Sequence, residues 1–388
     1  MDEVLLSTTE AIRKKGRVAR IGIDWPLFAA VCIAVIAGLV TMNSFAGENE
    51  FFLRQLVWAS LGITIFFALS FIDFHFLRRT SVIVILYAGI TGLLVLLTAV
   101  GVVVKGAQSW FHLGFFAVEP SDPAKLVLVL LLAKYFSRRH VEIAHLRHIL
   151  VSGAYAFVLF LAIFIQPDLG AAIIIFSIWF GMMLLSGISR KHVLMVFLLG
   201  AVAFGGLWFG ALEPYQKQRI LTFVNPLTDI HGAGYNAYQS TIAVGSGELL
   251  GKGIGYGTQS RLRFLPEYQT DFIFAAYAEE WGFVGVVLLF MVFGFIFYRI
   301  IKIAMHGETN FEMLYGLGLA LILGSQFVIH VGINIGLLPV TGTTLPFVSY
   351  GGSHLVTEFA GLGILMGMRR YSRAIHRADI EKEFLGAQ

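Results

Sequence analysis

The chain has 388 residues, of which 57% are hydrophobic and 13% are charged, and its mean hydropathy is +0.79. This composition excludes a water-soluble globular domain, because continuous apolar runs of about 18 or more residues are typical of membrane-spanning helices. The net charge of +4 is explained mostly by basic residues that flank the predicted membrane spans, and it gives no indication of nucleic-acid binding. The single cysteine, Cys32, excludes an intramolecular disulfide.

The apolar runs predict an all-α, polytopic membrane protein, because lipid satisfies no backbone polar groups and helices satisfy their own. The first run follows a basic segment at 13–17 and resembles a signal peptide, but its length and the runs behind it favour an uncleaved anchor. About ten spans are predicted, at residues 26–43, 53–71, 80–104, 123–136, 149–165, 169–186, 192–210, 271–298, 311–337 and 352–368.

The distribution of lysine and arginine predicts that both termini are cytoplasmic, because basic residues concentrate on that side of a membrane. All but eight of the 28 basic residues then fall in cytoplasmic segments. The exceptions are Arg54, Lys105, Lys125, Lys217, Arg219, Lys252, Arg261 and Arg263.

Five of these eight cations lie in residues 211–270, which we call the cap segment. Its aromatic residues and glycines predict an ordered extracytoplasmic cap with short helices between spans seven and eight. The cations are either solvated charges or an anion-binding set. The glycine run "GSGELLGKGIGYGT" is not a nucleotide loop, because Ser246 and Gly253 occupy positions where a P-loop needs glycine and Ser or Thr.

Ionisable residues inside or beside the spans also need an account. Lys125 lies one helical turn after Asp122, which predicts either a structural ion pair or a substrate-binding pair. Asp168, in "QPDLG", is placed to cap the following helix.

The stretch "FLPEYQTDFIFAAYAEE" carries Asp271 at the head of span eight. Thr270 or Asp271 is expected to cap that helix, and an uninterrupted helix from Asp271 to Arg299 would rise about 42 Å. Asp271 then lies at the headgroup level, where a carboxylate can act as a general base. Glu279 and Glu280 lie about 12–14 Å deeper, and we expect them to be buried and paired inside the bundle. The small face below Asp271 either packs closely or borders a cavity.

The motifs "GAQSWFHLG", "EPSDPAKL", "QPDLGAA", "RILTFVNPLTD", "LPEYQTDFIFAAYAEEWGFVG" and "GLLPVTGTTLPFVSYGGSHLV" closely resemble the SEDS family of bacterial shape, elongation, division and sporulation proteins. They resemble its elongation branch, RodA, more than its division branch, FtsW. The resemblance implies a peptidoglycan glycosyltransferase that polymerises lipid II for cell elongation. It also implies that Asp271 is the essential aspartate and that Asp122 and Lys125 form the family's acid–lysine pair.

The resemblance and the charges together give a set of candidate site residues around the catalytic Asp271. The predicted substrate-binding residues are Arg54, Lys125, Lys217, Arg219, Lys252, Gln259, Arg261 and Arg263. The residues predicted to support the site are Glu119, Asp122, Asp168, Glu267, Glu279 and Ser349. Two departures from the family concern phosphate binding: Ser109 stands where arginine is common, and Glu119 stands where glutamine is common. The resemblance implies a divalent cation, Mg²⁺ or Mn²⁺, whose ligands are not identifiable from residue spacing. No nucleotide cofactor is expected.

The resemblance implies partners as well: a class B penicillin-binding protein and other membrane proteins of the elongation complex. The predicted organisation is a cytoplasmic tail at 1–22, a single transmembrane domain at 23–370 and a second cytoplasmic tail at 371–388, in the bacterial inner membrane with an extracytoplasmic active site. Two alternatives stay open, a lipid II flippase and a scaffold for a penicillin-binding protein, since carboxylates deep in a bundle also suit an ion-coupled carrier.

Overall fold

The structure is a computed structural model that describes residues 22–44, 49–101, 109–113, 116–137, 146–210, 212, 214–224, 234–262 and 264–385. The predicted basic tail before residue 22, Lys105 and Arg263 lie outside the described residues, and so does the side chain of Arg219.

Thirteen helices and one hairpin make up the described part of the chain. The helices are α1 (Trp25–Asn43), α2 (Asn49–Ser70), α3 (Thr80–Val100), α4 (Ser121–Ser137), α5 (Leu146–Ile165), α6 (Leu169–Leu185), α7 (Arg190–Gly210), α8 (Pro214–Val224), α9 (Tyr235–Ser246), α10 (Thr258–Arg261), α11 (Ile273–Met305), α12 (Asn310–Asn334) and α13 (Gly352–Leu385). A 3₁₀ turn covers Phe74–Arg78, and strands β1 (Phe111–Leu113) and β2 (Phe116–Val118) pair antiparallel.

The ten predicted apolar runs coincide with ten of these helices, α1 to α7 and α11 to α13. Within the described residues, six helices are long and apolar enough to cross a membrane, and α6 is a shorter apolar helix. The chain is therefore a multi-pass membrane protein. The cap segment contains the short helices α8, α9 and α10, as predicted. The β1–β2 hairpin was not predicted, because its strands have only three residues each.

The helices α4 and α12 form the centre of the bundle. In α12, 61% of an apolar stretch of 18 residues is buried, against 22% of the corresponding stretch in α2 and in α3. Leu128, Val129 and Leu132 of α4 are fully buried. A helix that is apolar on all sides suits such a central position.

Asp24 joins three helices at the end of the bundle opposite the cap segment. Its carboxylate accepts a hydrogen bond of 3.1 Å from the Leu27 amide at the start of α1. It also accepts one of 3.1 Å from Nε of Arg299 and one of 2.7 Å from Nη1 of Arg369. This buried, fully paired carboxylate fixes α1 against α11 and α13.

The prediction of an uninterrupted helix in span eight was wrong, because α11 breaks at Gly282, where φ is +64° and ψ is −169°. Residues 247–253, which we call the glycine segment, fill the break. The amides of Phe283 and Val284 donate to the carbonyls of Glu248 and Leu249, at 2.9 and 3.1 Å. The backbone groups freed by the break are therefore satisfied by another part of the chain.

The other side of the break is closed in the same way. The amides of Lys252 and Gly253 donate to the carbonyls of Glu279 and Glu280, at 2.9 and 3.0 Å. A Cβ atom at Gly282 would collide with the amide of Gly251. Only glycine therefore fits this backbone conformation and this close approach.

Candidate active site

Asp271 lies two residues before α11, and its backbone is held from α12. The side chain of Asn334, which is fully buried, donates from Nδ2 to the Asp271 carbonyl at 2.9 Å. Its Oδ1 accepts from the Ala275 amide at 3.0 Å. Asn334 therefore bonds both the residue that carries the carboxylate and the first turn of the helix behind it.

The loop between α12 and α13, residues 335–351, holds the turn before α11 from another side. The hydroxyl of Ser349 donates to the Thr270 carbonyl at 2.8 Å and accepts from the Leu345 amide at 2.8 Å. The Tyr350 amide donates to the Gln269 carbonyl at 2.8 Å. Residues 269–271 are thus fixed on two sides before α11 begins.

The predicted capping role of Thr270 or Asp271 needs correction, because α11 begins at Ile273, two residues after the predicted start of the span. Phe272 occupies the N-cap position and makes no side-chain cap hydrogen bond. The Thr270 hydroxyl is directed to Glu267, at 3.3 Å from its carbonyl and from Oε2. The Ala275 amide is satisfied by Asn334 from a different helix, which the local sequence does not reveal.

The carboxylate of Asp271 is partly exposed and faces the 335–351 loop. Gly342, at φ +77°, is so close that a Cβ built on it would lie 3.7 Å from Oδ2 of Asp271. Four buried side-chain oxygens in segments around the site have no hydrogen-bond partner within the described part of the chain. They belong to Gln259, Gln269, Thr341 and Thr343. Buried polar atoms are normally satisfied, so these oxygens fit a polar ligand or water.

Glu279 is buried and paired, as expected, but its partners come from the cap segment and not from the bundle. Nζ of Lys252 lies 2.7 Å from Oε1 of Glu279. The amides of Thr258 and Gln259 donate to the same carboxylate at 2.8 and 3.1 Å. We call this arrangement the Glu279 clamp. It fastens the cap segment to the half of α11 that follows Asp271.

Glu280 makes a second connection of the same kind. Its Oε1 accepts from the Ser44 hydroxyl at 2.5 Å and from the Gly255 amide at 3.1 Å. The small residues Ala275 and Ala278 between Asp271 and the break are buried, and a Cβ on Gly247 would collide with the Ala278 carbonyl. The small face of the helix therefore packs closely against the glycine segment.

Asp122 and Lys125 form a buried ion pair, with Nζ 2.9 Å from Oδ1. The pair continues into α13: Nδ1 of His354 lies 3.0 Å from the same Oδ1, and Nε2 of His354 lies 2.9 Å from Oε1 of Glu358. The second oxygen of Glu358 accepts from the Phe347 amide at 2.8 Å. A chain of buried polar contacts thus runs from α4 to the loop that holds Asp271.

Glu119 and Asp168 lie near this pair. Asp168 caps α6 by accepting from the Ala171 amide at 2.9 Å, as predicted. Glu119 lies just before α4, outside the membrane-spanning segment. Burial, and then the negative charges of Asp122 and Asp168, raise the pKa of Glu119 to about 8. Burial and the neighbouring negative charges therefore favour the protonated form of the Glu119 carboxyl.

The remaining predicted cations are in different environments. Arg54 pairs with Glu50 and lies within hydrogen-bonding reach of the Tyr350 hydroxyl. Arg54 is therefore next to the 335–351 loop. Lys217 is on α8 and is half-buried, and Arg261 ends α10 and is exposed. Lys252 is part of the Glu279 clamp.

Several residues at the site were not predicted to contribute, notably Asn334, His354, Glu358 and Gln55. Nε2 of Gln55 donates to the Ser349 carbonyl at 3.0 Å. The available signal was a polar residue inside or at the end of an apolar helix, since such residues usually pair or serve a site. Their partners are distant in sequence, so the pairing itself could not be predicted.

Comparisons with known proteins agree with this architecture. A family model described as a cell cycle protein, covering FtsW, RodA and SpoVE, matches residues 19–374. The chain is 36% identical to the stage V sporulation protein E of Bacillus subtilis over 88% of this chain and 93% of that protein. It is 39% identical to the peptidoglycan glycosyltransferase MrdB of Escherichia coli over 74% of this chain and 77% of that protein.

Solved structures give the same result. A chain of a peptidoglycan synthase complex that coordinates polymerization and crosslinking matches with a TM-score of 0.77 and 31% identity, over 90% of this chain and 98% of that chain. The rod shape determining protein RodA of Thermus thermophilus matches with a TM-score of 0.67 and 30% identity, over 90% and 97%. The chain therefore belongs to the FtsW, RodA and SpoVE family, the SEDS family of membrane proteins.

Proposed function

We propose that this protein is a peptidoglycan glycosyltransferase that polymerises lipid II for cell elongation. The observation that carries the proposal is the partly exposed carboxylate of Asp271, whose backbone is fixed by Asn334 and Ser349. Relatives that share the fold over most of their length are named peptidoglycan glycosyltransferases. A positioned carboxylate beside a cationic cap fits that chemistry.

Asp271 acts as the general base in this proposal. The 4-hydroxyl of the acceptor sugar attacks the anomeric carbon of the donor sugar, and its proton passes to the Asp271 carboxylate. The bond from the anomeric carbon to the diphosphate oxygen breaks, and the polyprenyl diphosphate leaves with that electron pair. The unpartnered oxygens of Gln259, Gln269, Thr341 and Thr343 are suited to bind sugar hydroxyls.

The leaving diphosphate gains negative charge, which nearby cations stabilise. Arg54 and Arg261 are the candidates with exposed side chains, and Lys217 is half-buried. Arg219 and Arg263 remain candidates from the sequence. Lys252 and Lys125 have acidic partners at 2.7 and 2.9 Å, so we assign them first to holding the site together.

A divalent cation is a separate proposal. Among the described residues, no group of three His, Cys, Asp or Glu side chains could hold a metal ion. The mechanism above therefore assigns no metal ligands among the described residues. Polymerisation measured against added Mg²⁺ or Mn²⁺ tests whether the reaction needs a cation at all.

The orientation follows from the same proposal. Both termini are cytoplasmic, and Asp271 and the cap segment lie on the outer face of the inner membrane, where lipid-linked substrates are available without ATP. The similarity to a chain of a complex that couples polymerization to crosslinking supports a class B penicillin-binding protein as the partner, together with other membrane proteins of the elongation complex.

The decisive experiment is polymerisation of lipid II by the purified protein. Asp271→Asn and Asp271→Ala should remove activity while the protein stays folded. Asp73→Asn is the matched control. Asp73 follows α2 and caps the 3₁₀ turn by accepting from the His75 amide at 2.9 Å, a bond that asparagine can retain. Full activity of Asp271→Ala would refute the general-base role.

The same preparation in liposomes separates the competing functions. Glycan strands without movement of lipid II across the bilayer support the glycosyltransferase. Movement without strands supports a flippase, and neither activity, with the partner still bound, supports a scaffold.

A further inference from the structure

His330 is a fully buried histidine of α12, one helical turn before Asn334 and on the same face of the helix. Its Nδ1 lies 2.7 Å from the backbone carbonyl oxygen of Thr343. A carbonyl oxygen only accepts hydrogen bonds, so Nδ1 is the donor. The other ring nitrogen, Nε2, has no hydrogen-bond partner in the described part of the chain. The bond to Thr343 is therefore the hydrogen bond that orients the His330 ring.

This bond ends on the part of the 335–351 loop that faces the Asp271 carboxylate. We call residues 341–343 the threonine segment. Gly342, in its middle, is exposed, and a Cβ built on it would lie 3.7 Å from Oδ2 of Asp271. The side-chain oxygens of Thr341 and Thr343 are buried and have no hydrogen-bond partner among the described residues. The threonine segment therefore carries unsatisfied polar atoms on both sides of its closest approach to the base.

The threonine segment also packs against the start of α6. A Cβ built on Gly170 would lie 2.8 Å from the carbonyl oxygen of Thr341 and 2.9 Å from Cγ2 of Thr343. Such a contact with a backbone oxygen is too short, so any side chain at position 170 would displace the segment. The segment is therefore held between two helices, by close packing on α6 and by the His330 bond from α12.

The helix α12 thus holds both sides of the site from adjacent turns. Asn334 donates to the Asp271 carbonyl at 2.9 Å, and His330 donates to the Thr343 carbonyl at 2.7 Å. Asn334 also donates to the His330 carbonyl at 2.8 Å, which connects the two residues directly. One turn of a single helix therefore sets the spacing between the base and the segment that faces it.

We propose that His330 is a positioning residue that holds the threonine segment where its free oxygens bind the sugar of lipid II. The proposal rests on the glycosyltransferase function proposed above. It assigns different kinetic roles to the two residues of α12. Asn334 positions the base, which acts in the transition state, so it affects kcat. His330 positions groups that bind the sugar in the ground state and the transition state alike, so it affects KM.

Lipid II polymerisation by purified full-length variants of His330 tests the proposal. His330→Asn keeps a donor in place, because the asparagine side-chain nitrogen is bonded to Cγ, as Nδ1 of histidine is. His330→Gln carries its donor one bond further out, and His330→Leu has none. Gly170→Ala displaces the same segment while His330 stays intact. Its control is Gly89→Ala, because a Cβ on Gly89 would meet open space.

We expect His330→Gln and His330→Leu to raise KM for lipid II about 10-fold and to change kcat less than about threefold. His330→Asn should stay within about threefold of the wild-type protein in both parameters. Gly170→Ala should raise KM as well, and Gly89→Ala should not. An unchanged KM in both His330→Leu and Gly170→Ala would overturn the proposal. Equal effects of His330→Asn and His330→Gln would overturn it too, because His330 would then act only through packing.

Two measurements keep the test decisive. If His330→Leu does not fold, the comparison of the Asn and Gln variants and Gly170→Ala decide by the same criteria. Affinity for lipid II is also measured in the Asp271→Asn background, which requires no turnover. If the wild-type protein forms no strands but His330→Gln still lowers this affinity, the glycosyltransferase function is refuted and the positioning role stands. If the wild-type protein forms strands and the His330 variants keep its KM and its affinity, the positioning role alone is refuted.

Discussion

Replacing Asn334 by alanine should reduce activity strongly, although Asn334 does not reach the substrate. Its side chain makes two bonds to the segment around Asp271, one to the Asp271 carbonyl at 2.9 Å and one from the Ala275 amide at 3.0 Å. Alanine leaves both of these backbone groups without their partner, and the turn that carries the carboxylate loses its support from α12.

The magnitude can be bounded from these bonds. A buried polar group left unsatisfied costs about 1–3 kcal/mol, so two groups give about 2–6 kcal/mol. Hydrogen bonds between helices in membranes average only about 0.6 kcal/mol each, which sets a lower bound of about 1 kcal/mol. For catalysis, a displacement of about 1 Å can lower the rate by about 100-fold. We therefore expect kcat to fall by about 10- to 100-fold, with little change in KM.

The assay is lipid II polymerisation with purified protein, run beside thermal unfolding. Ser240→Ala is the matched control, because the Ser240 hydroxyl donates to the backbone carbonyl of Asn334 at 2.9 Å and makes no hydrogen bond to Asp271. It should lower stability slightly and leave kcat nearly unchanged. If Asn334→Ala retains kcat within about twofold, the positioning argument based on these bonds is wrong.

Three further predictions concern other parts of the structure. Gly282→Ala should prevent accumulation of folded protein, because the positive φ and the contact with the glycine segment both exclude a Cβ. Gly294→Ala in the same helix is the control, because a Cβ there would meet open space. The two variants are compared by their yield in membranes and their unfolding temperature. His354→Leu should lower stability and activity, because it leaves two buried carboxylates without their shared partner. Adding Glu358→Gln to this variant should restore part of the lost stability. If it restores none, His354 acts only through packing. Glu119 keeps its proton in the folded protein between its ordinary pKa of 4.5 and about 8, so its contribution to stability declines as the pH rises through that window. Glu119→Gln should flatten this decline when unfolding temperature is measured against pH. An unchanged pH profile in that variant would show that the pKa of Glu119 is not raised.

The helices of this fold could be predicted from the sequence because each is an apolar run with its own internal hydrogen bonds. The break at Gly282 could not. A glycine in an apolar run is compatible with an intact helix, and the partners of the broken turn are some thirty residues earlier in the chain. The straight helix assumed through Gly282 therefore led us to expect the partners of Glu279 inside the bundle, whereas they lie in the cap segment.

The position of Asp271 as a candidate base was predictable, because a carboxylate at the head of an apolar helix beside a cationic segment is an uncommon combination. The groups that hold it were not. Asn334 and Ser349 reach Asp271 and Thr270 from segments more than sixty residues away. Lys252 was predicted as a substrate-binding cation from its charge alone, while the structure shows its bond to Glu279.

The break in α11 also explains how the cap segment and Asp271 are coupled. The half-helix from Ile273 to Trp281 is about 13 Å long and is separated from the rest of α11 by the break. Asp271 lies just before its first residue, where Asn334 holds it to α12, and the Glu279 clamp holds the other end to the cap segment. A short rigid element that is held at both ends transmits displacement. While the Glu279 clamp stays intact, a force that moves the cap segment acts through this half-helix on Asp271 and on the bonds of Asn334.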